Sequence, residues 1–167
     1  MENTEIFCVL GLGSNRPYGD QSCAELINAA AEALKKNLTE LRLSPLYKTA
    51  PLYVTDQEPF VNAVVTGIFS AGPRELLKIT GELESRYGRD RSAERRWGER
   101  SLDIDILLFG GMVVSEADLV IPHPRLKERA FALRPLLDLL PNAVDPETGQ
   151  KYSDILAALP EQAIEKI

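Results

Sequence analysis

Cysteine is scarce in this chain: only Cys8 and Cys23 occur in 167 residues. Two isolated thiols make no disulfide framework, and no Cys-x-x-Cys pair is present to form a metal knuckle. A reduced, cytosolic (cytoplasmic) setting is the expectation. Met1 is followed by Glu2 and Asn3 rather than by a basic and then apolar leader, so no export signal is expected. No apolar run approaches the roughly 18 residues that would suggest a membrane span. Positive charge is also in deficit, with 19 Lys and Arg against 25 Asp and Glu, a net charge of −6. That balance argues against a protein whose whole surface embraces nucleic acid. Repeats, low-complexity tracts and linkers are absent, and a single domain over 1–167 is expected.

What remains is a chain that is 44% hydrophobic, enough to bury a core without staples. Residues 5–13, EIFCVLGLG, read as a central strand. Ser22 and Glu25 have capping-box spacing before a helical apolar repeat, Leu26, Ile27, Ala30, Ala31 and Leu34, which predicts a helix over about 22–37. LRLSPLYKTA gives a second strand interrupted or edged by Pro45, residues 50–59 a loop, and FVNAVVTGIF a third strand. Pro73 can open a second helix that Gly88 ends. LDIDILLF is the last strand of this series. The order strand, helix, strand, strand, helix, strand predicts an α+β class with a ferredoxin-like βαββαβ core. Its antiparallel sheet would carry both helices on one face and leave the other open. After residue 110 the chain reads as a C-terminal extension, with a short edge strand at MVVS and short helices at ALRPLLDLL and YSDILAAL.

Two features stand out against the negative background. Arg86, Arg89, Arg91, Arg95, Arg96 and Arg100 put six arginines into 15 residues. Directly after them, Asp103 and Asp105 interrupt an otherwise apolar strand. Strand side chains alternate between faces. Leu102, Ile104, Ile106 and Leu108 should therefore face the helices, and the two aspartates the open side. On the third strand Val61, Ala63, Val65 and Phe69 form the apolar set, which turns Phe60 and Asn62 to the open face as well. Carboxylates at i and i+2 have Cβ atoms about 6–7 Å apart and raise one another's pKa unless compensated. Magnesium commonly takes one or two carboxylates together with phosphate oxygens, and arginine forks match phosphate oxygens. Taken singly, the aspartates fit a solvated strand face and the arginines a solvated helix end. In adjoining elements they make a metal–polyphosphate site the better reading.

Other residues carry less. His123, in IPHPR, fits a structural loop histidine or a hydrogen-bond donor to a neighbouring group or phosphate. Trp97 fits a loop anchor or a lid over a ligand. GLGSN at 11–15 lacks both the third glycine of a dinucleotide fingerprint and the Gly-Lys-Ser/Thr of a P-loop, so a tight turn is expected there.

GLGSN at 11–15, KTAPL at 48–52, FVNAVV at 60–65, GRDRSAERRWGERSLDIDILLFG at 88–110 and IPHPRLKERAF at 121–131 together resemble the 6-hydroxymethyl-7,8-dihydropterin pyrophosphokinases of folate biosynthesis. The resemblance implies a monomeric, ferredoxin-like enzyme acting on small molecules. It uses ATP and two magnesium ions to transfer pyrophosphate to the pterin hydroxymethyl group, releasing AMP. It implies Asp103 and Asp105 as metal ligands, and Arg89 and Arg100 as catalytic residues alongside them. Around ATP it implies Glu84, Arg91, Trp97, Arg100, Ile106, His123 and Arg129. The pterin would lie between Phe60 and Phe131, read by Asn62, with the Thr49, Ala50 and Leu52 loop supplying backbone contacts. The chain departs from the pattern at Glu99, where a proline often stands, and in one extra residue near Arg95–Arg96. It also departs at Asp118 and Val120, where some members place Arg and Thr.

Three rivals make different demands. An RNA-binding module of the same fold needs aromatics on two central strands. A regulatory nucleotide-binding domain would leave the aromatics and Arg89 without a role. A nucleotidyltransferase would release pyrophosphate instead of AMP.

Overall fold

In the computed structural model, residues 4–50, 56–90, 92 and 99–167 are described. Leu52, Arg91 and Trp97 lie outside the described residues. The apolar run near the N-terminus forms strand β1 (Ile6–Ser14), which sits inside a six-stranded sheet of order β5-β1-β4-β3-β8, with β2 also paired to β4. Its neighbours are β4 (Phe60–Phe69) and β5 (Asp103–Phe109), both antiparallel to it. Continuous hydrocarbon suits such a strand because both of its faces are covered.

Helix α1 (Cys23–Leu34) starts at the capping box: the Glu25 N–H donates to Ser22 Oγ and the Ser22 N–H donates to a Glu25 carboxylate oxygen, each at 3.2 Å. It ends at Leu34 rather than 37, because Lys35 to Asn37 turn back through i→i−3 bonds. Helix α2 (Pro73–Arg86) has its proline in the first turn, where the missing N–H costs nothing. Between them the chain makes β2 (Thr39–Leu43) and β3 (Tyr47–Thr49), parted at Pro45. Buried Ser44 bridges the gap, because its Oγ accepts from the Val64 N–H and donates to the Pro45 carbonyl, both at 2.9 Å.

Apolar residues of α1 and α2 pack on Cys8, Leu10, Leu12, Ala63, Val65, Ile104 and Ile106, which forms the first core. A second core lies on the opposite face. Val9, Val64, Leu107 and Leu108 meet helix α3 (Ala130–Leu139) and helix α4 (Tyr152–Ala158) there. That second layer corrects the expectation of an open face, which survives only at the end of the sheet holding Asp103 and Asp105. Leu108 is a second correction. Val9 pairs with Leu108 and Leu10 with Ile106, so Leu107 is an extra residue in β5, and the alternation slips there. Leu108 joins the second core and Phe109 the first. A β-bulge inverts facing in this way and is invisible to a simple period-2 reading.

After β5, the strands β6 (Val114–Glu116) and β7 (Leu119–Ile121) form a separate two-stranded ribbon. Residues 164–166 add β8 (Ile164–Lys166) to the sheet edge along β3, a strand the sequence reading missed. One half-buried residue, Ile164, followed by two exposed charged ones gives no apolar alternation to find. No helix among the described residues is long and apolar enough to cross a membrane.

Ser44→Ala should cost about 1–3 kcal/mol, because the buried Val64 N–H loses its acceptor. Urea unfolding should show this as a lower midpoint with an unchanged slope, and an unchanged midpoint would mean that the bridge contributes nothing.

Candidate active site

The uncovered end of the sheet is a cleft of about 250 Å³. Its floor is β1, where Gly11 and Gly13 lie on the same face as the aspartates. A Cβ on Gly13 would stand 3.0 Å from the Asn62 side-chain oxygen, and one on Gly11 3.3 Å from Leu107. These glycines are therefore strand residues that keep the floor bare, which corrects the expected tight turn at GLGSN. The readable signal was their i, i+2 spacing, which puts both on one face of a strand. Asn15, at the end of the motif, is buried and joins three segments. It donates to the Gln57 side chain at 2.9 Å and the Glu58 carbonyl at 3.1 Å, and accepts from the Arg100 N–H at 2.8 Å.

One side of the cleft carries charge. Asp103 and Asp105 face it from β5, as alternation required. Arg89 is buried behind Asp103, donating to it at 2.7 Å and also pairing with Glu84. Glu84 is buried in turn and accepts the Ile104 N–H at 3.1 Å. It braces the strand from α2 rather than lining the cleft. Arg100 adds a looser ion pair to Asp103 at 3.5 Å. Asp105 has more distant partners, Arg129 at 3.6 Å and His123 at 3.7 Å. The Ile106 side chain points into the first core, away from the aspartates.

These distances explain two opposite titrations. Burial opposes ionisation of Asp103, but Arg89 and Arg100 overcome it and hold its carboxyl below the usual range. Burial and the negative charge of Asp103 push Asp105 up to about 7, with Arg129 compensating only in part. His123 is pushed down to about 4 by burial and by Arg129, so it is neutral at physiological pH. Its Nδ1 accepts the Arg125 N–H at 3.1 Å, which leaves the proton on Nε2, the atom turned to Asp105.

The other side is lined by aromatic and neutral polar residues. Phe60, Asn62, Thr49, Ala50 and Phe131 all line it. Asn62 donates to Thr49 Oγ1 at 2.7 Å, which holds the amide in one orientation, and the Arg129 guanidinium lies 5.5 Å from the Phe131 ring centroid. Asp118, one of the departures from the family pattern, pairs with Arg74 at the start of α2.

This geometry sits within a stretch that matches known proteins. Residues 9–141 match the family described as 7,8-dihydro-6-hydroxymethylpterin-pyrophosphokinase (HPPK). The 2-amino-4-hydroxy-6-hydroxymethyldihydropteridine pyrophosphokinase of Pseudomonas aeruginosa is 41% identical over 146 residues, covering 86% of this chain and 88% of that protein. The chain belongs to the HPPK family. A mitochondrial folate synthesis bifunctional protein of Arabidopsis thaliana is 43% identical over 152 residues, 89% of this chain. The match covers only 26% of that longer protein's length. The crystal structure of wild-type Plasmodium falciparum HPPK-DHPS shares the fold at a TM-score of 0.72 with 16% identity, covering 93% of this chain and 45% of that one.

The donor set bears on the metal that the HPPK resemblance implies. Among the described residues no group of three or more His, Cys, Asp and Glu side chains could hold an ion. Two carboxylates on one strand, one of them under-compensated, instead suit a hard cation that takes its remaining ligands from water and phosphate.

A stability measurement isolates Asp105. In metal-free protein its folded-state carboxyl titrates at about 7, against roughly 3.9 in the unfolded chain. The contribution of the protonated form is complete below the unfolded value and is lost as pH rises through the folded one. Asp105→Asn should therefore gain stability relative to the parent at pH 8 compared with pH 5, read by urea unfolding in EDTA. An offset that does not change with pH would contradict the assignment.

Proposed function

We propose that this cleft transfers pyrophosphate from ATP to the hydroxymethyl oxygen of 6-hydroxymethyl-7,8-dihydropterin, giving AMP and the pterin diphosphate. This is the 2-amino-4-hydroxy-6-hydroxymethyldihydropteridine diphosphokinase step of folate biosynthesis. The observation that carries the reading is the division of one small cleft. Carboxylates and arginines occupy one side, and a bare glycine floor between aromatics the other, in a chain of this family.

The roles follow from placement. The pterin ring would lie over Gly11 and Gly13 between Phe60 and Phe131, with Asn62, held by Thr49, facing its polar edge and Ala50 beside it. Leu52 completes that loop in the reading. The hydroxymethyl group would then point to Asp103 and Asp105. These carboxylates would hold two magnesium ions, which supply charge neutralisation on the polyphosphate and polarise the incoming oxygen. Arg100 and Arg129 flank the same carboxylates and can neutralise phosphate oxygens as bidentate donors. Arg91 and Trp97 are proposed as further ATP contacts, and Ile106 through its backbone, since its side chain is in the core. His123, neutral, can donate through Nε2 to a phosphate oxygen.

Arg89 has two roles to reconcile. It is proposed as a catalytic cation, and it is buried between Glu84 and Asp103. Its charge next to Asp103 keeps that carboxylate ionised and able to ligate, a contribution available without any loop movement. Transfer of this kind depends mainly on alignment and charge neutralisation. Losing one preorganised donor typically costs about 3–4 kcal/mol in the barrier.

The sheet order, with β2 and β3 read as one interrupted strand, supports a ferredoxin-like βαββαβ core, with α3, α4 and β8 as a C-terminal extension. A single cytoplasmic, monomeric domain that binds only small molecules, without nucleic acid or membrane, completes the reading.

Incubation with magnesium, ATP and the reduced pterin, followed by phosphorus NMR, should show AMP and the pterin diphosphate. Asp105→Ala should lower turnover at least a thousandfold while the circular dichroism spectrum is kept. Release of inorganic pyrophosphate instead of AMP would favour a nucleotidyltransferase, and no nucleotide product would favour a binding domain. Gly13→Val should weaken pterin binding by at least tenfold, because the side chain meets Asn62 on the cleft floor, and should spare an ATP analogue. Calorimetry showing equal losses for both ligands would contradict this division of the cleft.

A further inference from the structure

We propose that residues 162–167 are a tether that sets the spacing of the two walls of the ring side of the cleft, with Gln162 as its positioning residue. The assignment of the ring as a pterin rests on the function proposed above. Helix α3 begins at Ala130, and its N-cap, Arg129, makes no side-chain capping bond. The first N–H groups of a helix have no partner within it. Gln162 supplies one from 32 residues away: the Ala130 N–H donates to Gln162 Oε1 at 3.0 Å. The same amide donates through Nε2 to the Glu128 carbonyl at 3.0 Å. One side chain thus brackets Arg129 and fixes the turn from which Arg129 and Phe131 project.

The next residue reaches the opposite wall. The Ala50 N–H donates to the Ala163 carbonyl at 3.2 Å, and β8 then pairs Ile164 with Thr49, Glu165 with Lys48 and Lys166 with Tyr47. The Ile167 N–H closes the ladder on the Leu46 carbonyl at 3.0 Å. Thr49 in turn orients Asn62. Two consecutive residues therefore hold the turn before Phe131 and the backbone at Ala50, next to the Thr49 that orients Asn62. Arg129 has a separate anchor in Asp105, so the charged side of the cleft does not depend on the tether alone. Gln162 lies beyond residues 9–141, which carry the family match.

Gln162→Leu keeps the side chain's bulk and removes both hydrogen bonds. Amide exchange at Ala130, followed by NMR without substrate, should accelerate at least tenfold, and no change there overturns the tether. The pterin Kd and KM should rise about tenfold, as expected for roughly 1–1.5 kcal/mol of lost ring positioning. The kcat and the Kd of a non-hydrolysable ATP analogue should stay within twofold, because a ring clamp acts equally on ground and transition states. Ser44→Ala serves as a control that lowers stability at the break between β2 and β3 without removing either Gln162 hydrogen bond, and should leave the pterin Kd unchanged. An unchanged pterin Kd in Gln162→Leu, ATP affinity falling in step with it, or an equal pterin defect in Ser44→Ala would each overturn the proposal. Absence of turnover in the parent protein would count against the reaction, while Ala130 exchange would still decide the tether.

Discussion

Two negative charges on neighbouring positions of one face of β5 set the terms for everything around them. At an effective dielectric constant near 20, carboxylates about 6–7 Å apart repel by on the order of 2–3 kcal/mol. The chain answers that repulsion unequally. Asp103 receives Arg89 at 2.7 Å and Arg100 at 3.5 Å, whereas among the described residues Asp105 has Arg129 at 3.6 Å and a neutral histidine at 3.7 Å. One carboxylate is therefore held ionised by the protein, while burial and its neighbour's charge push the other towards the neutral form. A divalent cation that brings phosphate with it would compensate the pair without further protein ligands.

The same constraint explains the surrounding architecture. Arg89 can be buried because Glu84 shares it, and Glu84 can be buried because the Ile104 N–H and Arg89 satisfy it. This chain of partners locks the end of α2 to the start of β5, so the charged side of the cleft is rigid at its base. On the far side the polar groups are short and neutral, Asn62 on Thr49, and the floor is glycine. Under the proposed function, a planar ring with a polar edge would lie there. The proposed tether from residues 162–167 joins the two walls of this second side, the turn before Phe131 and the strand that carries Thr49.

Much of this was legible in the sequence for one reason: strand alternation is strict where one face is buried. It placed Asp103, Asp105, Phe60 and Asn62 on a common face before any coordinates. The capping box at Ser22 and the break at Pro45 were readable because each is a local backbone requirement. Alternation failed at Leu108, where the bulge at Leu107 adds a residue that no pattern in LDIDILLF announces. The second core was missed because α3 and α4 declare that they are amphipathic, but not which sheet face they cover. The role of Gly11 and Gly13 was misjudged by weighing them against phosphate-loop motifs instead of against a strand face. Gln162 left no trace, since a side chain bonding backbone groups about 32 residues away has no sequence signature.

Manganese can replace magnesium at oxygen-rich sites and is visible by electron paramagnetic resonance. Titration of the protein with Mn²⁺, a non-hydrolysable ATP analogue and the reduced pterin measures directly whether the aspartate pair grips cations through a polyphosphate. The account predicts two tightly bound ions per chain, reduced in number or affinity at least tenfold by Asp105→Asn, with the pterin still bound. Two ions bound with undiminished affinity in that variant would show that the cations are held elsewhere and would contradict the account.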